Sequence, residues 1–450
     1  MENGTNTMTR DLTEGSVAGL LMRFALPLFV SNALQAVYSL VDMVVVGQYI
    51  GGAGMAAVSI GGDILRLLTF LAMGFSSAGQ VLIAQYVGAR DSDRVQKTIG
   101  TMFTTLLCIS VALTIVCYFL KDTILHLLNT PEEAYAYTMD YTVTCIWGLA
   151  FIYGYNIVSA ILRGMGDSKR PFVFIAIAAV FNMALDIVFV KYCGMEVFGA
   201  ALATVIGQGV SFVASIVYLY LNKESFGFDF RIRSFKIDRF ALFRILSLGI
   251  PMAIQSAAIS FSKIVLTAWI NAEGMLFAAM GGIYNKVNMV SGIVSNSFTT
   301  AGSSMVGQNL GARKNERVPV ILKTVLGTGL IIATFFSAVL LAFNRQIFAL
   351  FTSDANVLAS ASIVVLPTVF NFYGSATRSM AFSLINGSGN TRLNLAVALI
   401  DGVISRVGIA SLMGFALGMG CRGFWFGDAL AGFMPIAIGA TYYISGRWKR

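Results

Sequence analysis

Twelve apolar stretches follow one another along this chain, at roughly residues 24–48, 55–85, 98–120, 136–162, 172–192, 200–222, 245–271, 275–309, 320–343, 361–385, 393–416 and 424–444. Each is near or above the ~20 residues that a helix needs to cross a bilayer. The remaining sequence cannot cover them in water: 57% of the residues are hydrophobic and only 12% charged, whereas a soluble protein carries about 25% charged residues. An all-α integral membrane protein with twelve spanning helices is therefore expected.

The net charge of +9 raises nucleic acid as a partner, but its distribution points elsewhere. Counting gaps from an N-terminus inside, 21 of the 31 Lys and Arg residues fall on the cytoplasmic side. Only Lys121, Lys191, Arg345 and Arg422 fall on the other. By the positive-inside rule this places both termini in the cytoplasm, with the lipid bilayer rather than nucleic acid as partner. The first 23 residues lack a basic segment followed by an apolar core, so no cleavable signal is expected. The stretch "LTEGSVAGLLMRFALP" reads as an amphipathic lead-in, with Leu20, Leu21 and Phe24 apolar. The five cysteines are scattered without a CxxC, and His126 is the single histidine. Neither a disulfide framework nor a zinc site is expected, and no cofactor.

The chain also repeats itself. "SSAGQVLIAQYVGARDSDRV" (76–95) returns as "TTAGSSMVGQNLGARKNERV" (299–318), 223 residues on. The same offset carries "RGMGDSK" (163–169) onto "NGSGNTR" (386–392), and Pro27 returns as Pro251 at offset 224. Six spans per repeat is an even number, so both halves enter from one side, related by an axis along the membrane normal. The expected divisions are a lead-in (1–23), a first lobe (24–222), a linker (223–244), a second lobe (245–444) and a tail (445–450). Gly88 and Gly311 are expected as glycine caps of long helices. The paired glycines 164/166 and 387/389 are expected in tight turns, with Asp167 and Asn390 at turn or N-cap positions.

Ionisable residues inside spans are functional candidates by default. The first half has Asp42, Asp63, Arg66 and Asp186; the second has Lys263, Lys286, Arg378, Asp401 and Arg406. Asp186 sits in "VFNMALDIVFV", four residues after Asn182 and on the same helix face. An unpaired carboxylate there costs on the order of 2.5–3.5 kcal/mol by insertion scales. Burial and a second carboxylate, Asp42, favour protonation, which suits a proton carrier. With amide and hydroxyl oxygens the same pair suits a small cation such as Na+, and polar glue between helices is the structural alternative. Asp401 is taken as the carboxylate within the second half's spans. Its spacing of five from Arg406 puts the two ~140° apart on an α-helix, which argues against an intrahelical pair. Asp63 and Lys286 hold equivalent repeat positions with opposite charge, which suggests an inter-lobe gate; a local Asp63–Arg66 pair is the alternative.

"LPLFVSNALQAVYSLVDMVVVGQYIG", the twin Q-x-x-G-A-R helix ends, the twin G-x-G-[DN]-[ST]-[KR] turns and "NMALD" together resemble the multidrug and toxic compound extrusion (MATE) family, from about Leu20 to Tyr443. The resemblance implies two six-helix bundles around a central cleft, alternating access, and export of cationic or amphiphilic compounds against inward H+ or Na+. It maps Asp42, Asn182, Asp186 and Thr204 onto the family's N-lobe coupling site, with Asn156 as a further member. The seventh and tenth spans carry Lys263 and Arg378 where the Na+-coupled norfloxacin-exporting branch has acids, which favours the DNA-damage-inducible-type branch. Gln35, Tyr38, Tyr153, Tyr155, Gln255, Lys263, Tyr284, Asn288, Asn371 and Tyr373 are amphipathic candidates for small-molecule contact. A monomer is expected. The alternative transporter is a relative that flips lipid-linked saccharides, with Lys263 and Lys286 suited to a diphosphate. The spans offer neither HExxH nor a paired DxxD, so an enzyme is not expected.

Overall fold

A computed structural model of the chain describes residues 10–449. Among these the secondary structure is helical throughout, without strands. The chain divides into two compact units. Of the described residues, unit 1 takes in 10–11 and Leu26–Gly249, and unit 2 takes in Leu12–Ala25 and 250–449.

The first half runs through α1 (Val17–Tyr49), α2 (Gly52–Gly88), α3 (Ser92–Leu127), α4 (Glu132–Trp147), α5 (Leu149–Gly164), α6 (Lys169–Asp186), α7 (Glu196–Leu221) and the short α8 (Lys223–Phe226). The second runs through α9 (Arg239–Ala272), α10 (Met275–Gly311), α11 (Arg317–Ala349), α12 (Ala355–Ser360), α13 (Ser362–Gly387), α14 (Thr391–Leu399), α15 (Arg406–Ser411), α16 (Gly420–Ala431) and α17 (Met434–Ile444).

Nine described helices or helix runs are long and apolar enough to span a membrane, and the bent pair α4–α5 makes a tenth. The stretch 136–162 is thus one span broken by 48°. The break falls at Gly148, where a Cβ would come within 2.5 Å of Val205, so a close helix approach requires glycine there. The remaining two spans of the twelve, α10 and α13, are the least apolar, and they pack against each other. Their polar faces meet: the Ser375 hydroxyl donates to Ser291 Oγ (3.3 Å), and the Ser295 and Ser379 hydroxyls pair at 3.0 Å. Small hydroxyl side chains satisfying one another between helices are the usual way to keep such polarity from lipid. Outward-facing apolar side chains such as Phe119, Ile331 and Phe335 form the surface expected of a chain solvated by lipid.

The twin motifs adopt matching backbones, with one difference from expectation. Gly88 and Gly311 are the last helical residues, but the left-handed cap falls two residues later, on Arg90 (φ 57°) and Arg313 (φ 58°). The amides of Asp91 and Lys314 then reach back to Tyr86 O and Asn309 O, each at 2.9 Å, closing the helix ends as a left-handed cap does. The twin turns are as expected. Gly166 and Gly389 have positive φ, and Asp167 and Asn390 accept from the backbone amides of Lys169 (2.9 Å) and Leu393 (3.0 Å).

Candidate functional site

In unit 1, α6 and α7 pack side by side. Gly207 allows it: a Cβ there would lie 2.9 Å from Ala178 O and 3.3 Å from Asn182 Cβ. That approach brings the Asn182 amide to donate to Thr204 Oγ1 at 3.2 Å. One turn on, Asp186 ends α6, and the next six residues, Ile187–Tyr192, form a π-helix. Such local widening is often found at functional sites. Asp186 is 0% exposed and Asp42, from α1, 5%. Both Asp186 carboxylate oxygens, Asp42 Oδ1 and Asn182 Oδ1 have no hydrogen-bond partner among the described residues. Asp42 and Asp186 lie within electrostatic reach of each other. A buried group without partners carries the full desolvation penalty, so these four oxygens are set up to take a proton or a cation. Oxygen-only sites suit hard cations.

Two further residues surround this cluster that the motifs did not disclose. Tyr141 of α4 is buried within electrostatic reach of both carboxylates, and Gln208 of α7 pairs with the Tyr38 hydroxyl. Their signal is weak, since a tyrosine and a glutamine in apolar spans look like ordinary interfacial residues. Asn156 lies on α5 with its amide turned back to Ile152 O (2.8 Å). Tyr153 and Tyr155 donate to the carbonyls of Leu68 (2.9 Å) and Pro171 (3.1 Å), so both hydroxyls tie helices together. Gln35 and Tyr38 are half-buried on α1.

Unit 2 holds the opposite arrangement. Arg378 on α13 is ion-paired to Asp401, and Arg406 on α15 to Asp428 on α16. Asp428 lies inside a span and is a second intramembrane carboxylate of this half, so Asp401 is not alone there. Arg406 also comes within 3.9 Å of Asp401 on its own span. That pair overturns the α-helical expectation, because Ile400–Ser405 is a π-helix, whose i→i+5 repeat returns the fifth residue to the same face. The Tyr284 hydroxyl donates to Asp428 Oδ2 (3.1 Å), and the Asn371 amide lies 3.4 Å from both. Lys263 is exposed on α9, within electrostatic reach of Asp428 but in no ion pair among the described residues. The close packing again depends on glycine. A Cβ on Gly427 would lie 2.2 Å from Ala410 Cα, and one on Gly402 would lie 2.6 Å from Ala258.

The two clusters occupy corresponding sequence positions. Arg406 and Asp428 stand 224 residues after Asn182 and Thr204, so an amide–hydroxyl pair in one unit is an arginine–aspartate pair in the other. Of the remaining candidates, Asn288 donates to Tyr284 O (3.0 Å), Tyr373 shares a hydrogen bond with Thr334 (3.0 Å), and Gln255 Nε2 is buried without a partner. Asp63 pairs with Arg66 at 3.4 Å, both about two-thirds exposed, and Lys286 is exposed on α10. No group of three or more His, Cys, Asp or Glu side chains is arranged to hold a metal among the described residues.

A family model described as MatE matches residues 27–188 and again 251–412; the two matches are themselves 224 residues apart. The protein named "Probable multidrug resistance protein YoeA" of Bacillus subtilis is 28% identical over 450 residues, covering 98% of this chain and 96% of that one. The protein named "Probable multidrug resistance protein NorM" of Thermotoga maritima is 22% identical, over 96% and 93%. Among solved structures, a MOP superfamily transporter from Pyrococcus furiosus superposes with a TM-score of 0.91 at 22% identity over 100% of both chains. An outward-facing MATE family multidrug transporter superposes at 0.90 and 22% identity, over 99% and 98%.

Proposed function

The chain belongs to the MatE family, and from that premise we propose that it is a secondary antiporter exporting cationic or amphiphilic drug-like compounds or metabolites, coupled to inward H+ or Na+ by alternating access. The observation that carries this reading is the set of four partnerless buried oxygens on Asp42, Asn182 and Asp186. The names of the relatives support the substrate class. The 21-to-4 distribution of basic residues supports a cytoplasmic-membrane protein with both termini inside.

The cycle follows from the cost of those oxygens. With no ion, two unpaired carboxylates in a low-dielectric site repel each other and favour the state in which water reaches them. A proton or Na+ entering from outside neutralises the pair and lowers the cost of closing the site. Release inside restores the charge and resets the protein. Substrate export is driven only if substrate and ion prefer different states. The proton is the favoured ion, because the carboxylates of unit 2 are already matched by Arg378 and Arg406 and leave no second anionic cage.

The deciding experiment is flux in liposomes under imposed H+ or Na+ gradients. Asp42→Asn and Asp186→Asn should each abolish gradient-driven export while the protein stays monodisperse. Export retained in both variants would overturn the mechanism. Lys263, a cation without an ion pair, favours a second reading as a flippase for lipid-linked saccharides; binding that depends on the diphosphate would select it.

A further inference from the structure

The connector between α7 and α9 is held against unit 1 at three backbone points, all on α3. Thr104 donates its hydroxyl to Phe235 O, and Thr101 Oγ1 accepts from the Asp238 amide at 3.0 Å. The third point is Gly100, where a Cβ would stand 1.9 Å from Ser234 O. Only glycine permits that approach.

Pinned this way, the connector turns its aromatic residues inward. Phe230 takes a left-handed backbone (φ 53°), a rare conformation for a bulky residue. It is held there by rings on several sides, with centroids 5.1 Å away on Phe228, 5.9 Å on Phe226 and 6.0 Å on Tyr220. Beneath it lies an open apolar cavity of about 280 Å³. Phe103 and Leu107 of α3, Phe212 and Ile216 of α7, and Phe230 and Phe235 of the connector line it. Every lining side chain is apolar. The α7 wall lies within about three turns of that helix's end at Leu221, a depth that corresponds to the leaflet on the connector's side.

The rim has the opposite character. Residues 223–244 carry six Lys or Arg and three acids. Two of the acids are engaged locally. Asp229 accepts from the Ser234 hydroxyl and the Arg231 amide, which together hold its carboxyl below the usual range. Asp238 accepts from the Ala241 amide at the start of α9. The cations are turned outward: Arg233, Lys236 and Arg239 are exposed and form no ion pair among the described residues.

We propose that this cavity is a binding site for an acyl chain of an anionic phospholipid, whose headgroup is held by Arg233, Lys236 and Arg239. An apolar cleft at leaflet depth accepts the chain, and a cationic rim beside it accepts the phosphate, the combination that basic pockets at a membrane surface use for anionic lipids. The connector is then a lipid-anchored element of unit 1 as well as the tether between the two halves of the sequence. Its position on the basic side of the chain places this lipid in the leaflet that the positive-inside pattern expects to be cytoplasmic.

The test uses the full chain in nanodiscs. Phe230→Trp places a fluorophore over the cavity, with the emission of the parent protein subtracted; Phe212→Trp serves the same purpose from α7 if the first variant folds poorly. Chain-brominated phosphatidylglycerol should quench the new tryptophan at a concentration at least about fivefold lower than chain-brominated phosphatidylcholine, since one basic residue near the surface contributes about that factor. Replacing Arg233, Lys236 and Arg239 together by Gln should bring the two lipids to equality while quenching by either persists. Equal quenching by both lipids in the parent background would reduce the site to ordinary lipid contact and overturn the proposal. Absence of quenching by either would show the cavity filled by protein, with the same consequence.

Discussion

Arg406 follows Asp401 by five residues on one membrane span, yet its guanidinium stands 3.9 Å from the Asp401 carboxylate. On an α-helix the two would point ~140° apart. The π-helix at Ile400–Ser405 brings them together, and Ser262 secures it by donating its hydroxyl to Gly402 O. Arg406 thereby serves two carboxylates, Asp401 and Asp428, which Arg378 and Tyr284 complete from α13 and α10.

Breaking this network from one side should be costly. Arg406→Gln leaves Asp428 buried without its cation, and losing one partner of a buried pair typically costs about 3–5 kcal/mol. Arg406→Met combined with Asp428→Leu removes both charges, and Asp401 keeps Arg378. The double variant should therefore melt well above the single one in detergent. A double variant no more stable than Arg406→Gln would show that the pair is not the structural unit described.

The carboxylates of unit 1 should behave in the opposite way. Asp186 is fully buried, and neither of its oxygens has a protein partner. Asp186→Asn removes a buried acid that has no partner for its charge and should stabilise the protein by about 1–3 kcal/mol, the cost of an unsatisfied buried group. The gain is seen as a higher melting temperature in the same variant that loses gradient-driven export. A lower melting temperature would mean that Asp186 has a structural partner.

These contrasts show what was legible in the sequence. Low charge and twelve apolar stretches were enough for the membrane class, and the offset repeat disclosed the two halves. "FNMALD" disclosed its buried acid because a carboxylate stands out in an apolar run. Helix geometry was less accessible. Nothing in "ALIDGVISR" announces a π-helix, so period-3.6 reasoning separated two residues that in fact pair. Asp428 sits in "WFGDALAG", inside the apolar stretch 424–444, and nothing there announces the close contact of Gly427 with α15 that places it. The capping arginines 90 and 313 were hidden for a similar reason: the glycines two residues earlier looked sufficient.

That close contact gives a matched pair of substitutions. Gly427→Ala would push a Cβ to 2.2 Å from Ala410 Cα, a backbone atom that cannot rotate away. It should cost about 1–3 kcal/mol, the usual effect of overpacking, and should disturb Asp428 next to it. Gly292→Ala, also inside a helix, meets nothing within 4 Å, and should be neutral or stabilising by up to about 1 kcal/mol. Melting curves of the two variants decide it, and equal shifts would contradict the packing.

Asp63 offers a simpler exchange. It pairs with Arg66 one turn along, both well exposed, and such pairs contribute about 0–1 kcal/mol. If Asp63→Arg impairs export, the compensating change should be Arg66→Asp, which restores the same local pair with its direction reversed. Rescue by Lys286→Asp instead would show that Asp63 acts on the other half of the chain during transport.

The sequence correspondence between the two clusters allows one to be written into the other. Asn182→Arg with Thr204→Asp copies the Arg406–Asp428 pair into unit 1 at the corresponding positions. The new guanidinium would sit one turn from Asp186, on the same helix face, and could be shared between two carboxylates as Arg406 is. The double variant should fold, since unit 2 shows that these helix positions accept the pair. It should lose its response to the imposed ion gradient, because a fixed cation replaces the Asn182 oxygen and holds Asp186 in an ion pair that the coupling ion would have to displace. Liposome flux with and without the gradient reads this directly. Export that still rises with the gradient in this variant would show that the ion is bound elsewhere, and that Asp186 is not part of the coupling.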